Sequence, residues 1–171
     1  RNPHKIVIGG LRGELYCDNS KYLLQYILAH TDYRVVWVGL PKVRGKLPTH
    51  GRLSFAEKGS WRATYHLLTA KFWYCCQMAD RDFTAWPLMT DAWGMKVIDS
   101  WHGIMIKGTG RLSPCNRDYK ESCEARTFWN WYHDVLWRRK KEWLTVPSAR
   151  QGELLSQAEP ESFCPERCLL F

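Results

Sequence analysis

The chain has 171 residues, enough for one domain with a real core and too few for two comfortable ones. Nearly half of it is hydrophobic and ten residues are tryptophan, which excludes a disordered chain. A formal charge of +8 favours an anionic partner, such as a phosphate polymer, a lipid headgroup or nucleic acid, without choosing among them.

No stretch reaches the roughly 20 apolar residues a membrane-crossing helix needs, and Arg1-Asn2-Pro3-His4-Lys5 leads into too short an apolar run for a signal peptide. A soluble or membrane-surface protein is expected, and the start at Arg1 reads as a fragment or processed chain. The seven cysteines include the vicinal pair Cys75-Cys76, so a disulfide framework is not expected and a reducing cytoplasm fits better. Cys164-Pro-Glu-Arg-Cys168 has no second ligand pair at metal spacing, and no metal site is assigned.

In chain order, His4 to Ile8 is a β-branched run ending in Gly9-Gly10, a first strand. Asp18-Asn19-Ser20 supplies N-cap chemistry for a helix to about Ala29, with Leu23, Tyr26, Ile27 and His30 at helical spacing. Arg34 to Leu40 is a second strand, followed by a basic loop from Pro41 to Gly51. Ser60 caps a helix to about Ala70, which runs into a strand over Lys71 to Cys76, and a further strand covers Lys96 to Trp101.

A polar loop from Gly110 to Ser122 precedes a helix whose apolar stripe is Ala125, Phe128, Trp129, Tyr132, Val135 and Leu136. Glu142 to Val146 is another strand, and Ser148-Ala149-Arg150-Gln151 opens a final helix to about Ala158 with a capping box. Alternating strands and helices predict an α/β fold: a mostly parallel, Rossmann-like sheet with helices on both faces. Ligands of such sheets gather beyond the carboxyl ends of the strands.

His102 lies at that end of its strand, in "VIDSWHGIMIKGTG". Its imidazole can take a proton from an attacking hydroxyl, backbone N–H groups after Gly103 can hold phosphate oxygens, and Lys107 adds a neutralising charge. Asp18 and Asn19 are placed to reach the same cleft, although a helix cap would also account for them. "GGLRG" at residues 9 to 13 offers either a phosphate cradle or a tight turn, of which the turn is the simpler account. "FWNWYHDVLWRRKKEW" joins aromatic anchors to Arg138, Arg139, Lys140 and Lys141, a combination that suits an anionic membrane surface or, alternatively, a core helix followed by a solvated charge run.

"WHGIMIKGTG" resembles the Trp-His-Gly-Thr-Pro-Leu-Lys motif of the CDP-glycerol glycerophosphotransferase family, the teichoic-acid primases and polymerases and related capsule enzymes. "KIVIGGLRGELYCDNSKYLLQYIL", "YRVVWVG" and "WLTVPSARQGELLSQA" are similar to other stretches of that family in the same order, so the resemblance covers nearly the whole chain. It implies one half of a glycosyltransferase-B (GT-B) architecture, with residues 1–171 as the N-terminal acceptor-side domain and the donor-binding half not included. It further implies His102 as the catalytic base, CDP-glycerol as donor substrate with no other cofactor, and a lipid-linked polyol-phosphate acceptor at the cytoplasmic face of the membrane.

Two departures matter. Ile104-Met105 replace the Thr-Pro of the motif, removing a hydroxyl and a stiffening proline, while Lys107 is retained. A missing donor half would have to come from a separate chain or a homo-oligomer, and without it the alternative is a non-catalytic acceptor- or membrane-binding module. Nucleic acid is not the expected partner, because the aromatics fall on apolar stripes rather than among the basic residues.

Overall fold

The structure is a computed structural model, which describes residues 1–76, 79–83, 95–100, 143–158 and 168–170. The described elements run β1 (Asn2–Gly9), α1 (Asp18–His30), β2 (Arg34–Gly39), α2 (Pro41–Arg44), β3 (Leu53–Glu57), α3 (Trp61–Thr69), β4 (Ala70–Cys75), α4 (Ala79–Asp82), β5 (Lys96–Asp99), β6 (Trp143–Val146), α5 (Ala149–Ala158) and β7 (Cys168–Leu170). The seven strands form one sheet in the order β3-β2-β1-β4-β5-β6-β7. Every strand pairing is parallel. The α/β, Rossmann-like architecture expected from the sequence is therefore present.

The central strands are near-continuous apolar runs because both faces of the sheet are covered. Along β1, Ile6 and Ile8 point to one face, where they join Val35, Trp37 and Tyr74 and receive Leu24, Ile27 and Leu28 of α1 and Val43 of α2. Val7 points to the other, with Val36, Val38, Trp73 and Val97, against Ala63 and Leu67 of α3 and Phe83. Period-2 side-chain alternation thus divides one strand between two cores.

Several sequence expectations are corrected in detail. The buried stripe of α1 is Ser20, Leu24, Ile27 and Leu28. It is rotated from the expected one, leaving Tyr26 61% exposed and His30 also exposed. The basic segment after β2 is not all loop: it begins with the single turn α2, whose Val43 is fully buried. It also leads into β3, a strand on the sheet edge that the sequence reading passed over.

The caps of α3 and α5 form as expected. Ser60 Oγ accepts from the N–H of Ala63 at 3.1 Å, and Ser148 Oγ accepts from the N–H of Gln151 at 3.2 Å. At α1 the cap position is Cys17, with no side-chain cap bond, and Asp18 to Ser20 lie inside the first turn. The hydroxyl of Ser20 is engaged elsewhere, and Asp18 has a positive φ of 52°, so neither acts as the foreseen cap.

Candidate functional site at the carboxyl ends of β1, β4 and β5

The sheet order reverses direction at β1: the chain winds outward through β2 and β3, then returns to β4 on the other side. Loops leaving β1 and β4 therefore diverge, and the crevice between them is the natural ligand site of such a sheet. The segments that meet there are the turn after β1, the first turn of α1, the end of β4 with α4, and the end of β5.

The turn after β1 is tight. Gly13 N–H donates to the Gly10 carbonyl at 2.7 Å, Glu14 N–H to that of Leu11 at 2.9 Å, and Leu40 N–H to that of Gly13 at 2.7 Å. The N–H of Arg12 is directed to Asp82 Oδ1 at 2.8 Å. With those amides engaged internally, "GGLRG" is a turn rather than a ready phosphate cradle, and an anion here would be met by side chains.

Asp82 was not singled out from the sequence, yet it is the hub of this crevice. It is fully buried. Its second oxygen accepts from the Cys76 N–H at 2.8 Å, so one carboxylate joins the β1 turn to the residue following β4. Its two anchor points lie 70 and 6 residues away, a pairing that only the folded sheet reveals. Asp99 and Ser100 are also buried, at the end of β5. Ser100 N–H donates to the Cys75 carbonyl at 2.9 Å, extending the link from β4 to β5.

Ser20 Oγ donates to the Gly9 carbonyl at 2.6 Å, holding the first turn of α1 against the end of β1. This tether brings the neighbouring Asp18 and Asn19 to the carboxyl edge of the sheet, with Asp18 exposed and Asn19 half-buried. Burial, with Asp82 nearby, pushes the Cys76 thiol well above the ordinary range, and burial does the same to the Tyr74 phenol. Both remain protonated near neutral pH, so Cys76 supplies no thiolate nucleophile.

His102, Gly103, Lys107 and the basic run Arg138, Arg139, Lys140 and Lys141 lie outside the described residues, as does the expected helix over residues 125–136. Among the described residues, no cluster of histidine, cysteine and acidic side chains is arranged to hold a metal ion. No described helix is long and apolar enough to cross a membrane.

No protein-family model matches the chain, and no curated protein matches it in sequence. Among solved structures it is similar to the wall teichoic acid polymerase TagF. One TagF structure aligns over 99% of this chain and 39% of its own, with a TM-score of 0.70 at 18% identity. A second aligns over 98% of this chain and 38% of its own, with a TM-score of 0.69 at 19% identity. The chain thus spans about two-fifths of TagF's length, and over that span the two share a Rossmann-like α/β fold. At this identity the likeness establishes the shared fold.

Proposed function

We propose that this chain is the acceptor-side half of a GT-B glycerophosphotransferase that moves glycerol phosphate from CDP-glycerol to a lipid-linked polyol-phosphate acceptor. The observation that carries the reading is a coincidence of fold and motif. The chain has the fold of TagF over almost all its length, and β5 ends at Asp99, two residues before Trp101-His102-Gly103.

In this reading an acceptor hydroxyl attacks the phosphorus that bears glycerol. The new oxygen–phosphorus bond replaces the pyrophosphate bond, CMP leaves, and the hydroxyl proton passes to His102. Lys107 and backbone N–H groups near Gly103 offset the phosphate charge, while Asp18 and Asn19 contact acceptor at the rim of the crevice. The reading needs no resident metal or cofactor. The donor is held by a second half, and Arg138 to Lys141 draw the protein to the anionic cytoplasmic membrane face where the acceptor is made, each contributing about 1 kcal/mol near the headgroups.

The test is primer-dependent CMP release from CDP-glycerol, comparing the protein with its His102→Ala variant. Loss of the base is expected to lower kcat by roughly 10²- to 10⁴-fold with primer still bound. Unchanged release in the variant would remove His102 from the mechanism. A folded protein that neither releases CMP nor binds primer would overturn the reading.

A further inference from the structure

We propose that Asp82 is a positioning residue for this crevice. Its buried carboxylate sets the turn after β1 and the end of β4 relative to each other, and through β4 it fixes the point from which the chain leaves β5 toward Trp101-His102-Gly103. The inference rests on the functional reading above for its catalytic consequence, but not for its structural one.

A continuous line of hydrogen bonds joins these segments. Arg12 N–H and Cys76 N–H converge on the two Asp82 oxygens, each at 2.8 Å. One residue back from Cys76, the Cys75 carbonyl receives the Ser100 N–H at 2.9 Å and the Ser100 hydroxyl at 3.4 Å. Asp82 therefore binds two loops that the sheet sends in opposite directions, and the second leads directly to the last described residue before His102.

The surroundings leave Asp82 little freedom. A Cβ placed on Gly9 would lie 3.1 Å from Asp82 Cβ and 2.7 Å from Phe83 Cε1. Phe83 is itself fully buried, packed edge-on against Trp73 at a centroid distance of 5.7 Å. Lys58 reinforces the same joint from outside, its ammonium donating to the Arg12 carbonyl at 2.9 Å and also to the Arg81 carbonyl.

A carboxylate suits this role because it can accept from both backbone N–H groups at once. An amide in its place can accept one of the bonds but turns its own NH₂ toward the other donor, leaving a buried N–H unmet. Asp82→Asn is thus a substitution of nearly equal shape that opens one side of the joint, and Asp82→Ala opens both.

The experiment measures backbone hydrogen exchange in the chain and in both variants, together with CMP-release kinetics. The amides of Arg12, Cys76 and Ser100 are expected to exchange about tenfold or more faster in the variants, while Val7 and Val36 in the sheet centre keep their protection. On the functional reading, kcat falls by about 10- to 100-fold with the KM for CDP-glycerol unchanged, because the base is displaced while the donor site is not. A Ser100 amide as protected as before would overturn the inference, since Asp82 would then not reach β5. Protection lost throughout the sheet in both variants would overturn it too, by making Asp82 a support of the whole fold. Faster exchange at all three amides with kcat intact would show that the joint does not position the catalytic segment. If the unaltered protein neither turns over nor binds primer, the glycerophosphotransferase reading fails, and the exchange result still decides the structural claim.

Discussion

Two loops leave the same edge of the sheet, one after β1 and one after β2, and glycine punctuates both. In the first, a Cβ on Gly10 would lie 2.0 Å from the Leu15 carbonyl oxygen and 2.9 Å from Trp37 Cζ2, and Gly13 has a φ of +74°. In the second, a Cβ on Gly45 or Gly51 would meet nothing within 4 Å. The first loop is clamped against the crevice by Asp82 and Lys58, whereas the second is mostly exposed beyond the buried Val43. The same residue type thus marks a close-packed junction in one loop and open surface in the other.

The largest expected effect comes from Gly10→Ala, because its added methyl meets backbone that cannot turn aside. Stability should fall by about 3 kcal/mol or more, measured by urea unfolding. Gly13→Ala should cost less, about 1 to 2 kcal/mol, since the strain lies in a left-handed φ and the nearest atom belongs to the flexible Lys58 side chain. Gly45→Ala, at a φ of −71°, should raise stability by about 0.5 kcal/mol or leave it unchanged. A large loss there would erase the contrast between the loops.

The two loops meet in one exposed ion pair, Lys42 Nζ to Glu14 Oε2 at 2.9 Å. Its hydrogen bond and charge hold the Glu14 carboxyl below its ordinary value of 4.5. A carboxyl depressed by folding stabilises the folded state above its unfolded pKa, and that contribution is lost as pH falls through the lowered folded value. Lys42→Met should move the Glu14 titration upward toward the ordinary value when followed by NMR, with little change in unfolding at neutral pH. A Glu14 titration indifferent to Lys42 would mean that the loops are not electrostatically joined.

Much of the sheet was legible because its strands are buried on both faces: runs such as Ile6-Val7-Ile8 and Val35-Val36-Trp37-Val38 leave little alternative to strand. The edges were less so. Leu53–Glu57 mixes half-buried and exposed side chains, and Cys168–Leu170 is only three residues long, so neither carries a distinct period. On α1, Tyr26 and His30 fall at helical spacing as well as Leu24 and Leu28 do, and only packing against β1 and β2 selects the buried stripe.

The site divides in the same way. Asp18 and Asn19 were picked out for their place after the first strand, and the helix cap offered as the other account of them is not what holds them there. Ser20 does so, by donating to the Gly9 carbonyl. Asp82 left no local signature, because an acidic residue among Ala79-Asp80-Arg81 reads as a solvated face until the fold brings Arg12 and Cys76 to it.

The most direct test of the crevice as acceptor site is an NMR titration of the isotopically labelled chain with a short, water-soluble glycerol-phosphate oligomer. Amide shifts concentrated at Arg12, Gly13, Cys76 and Ser100, saturating with oligomer and retained in His102→Ala, are the predicted result. Shifts confined to the opposite edge of the sheet, around Lys5 and Arg34, or no shifts from a folded chain at millimolar oligomer, would contradict it.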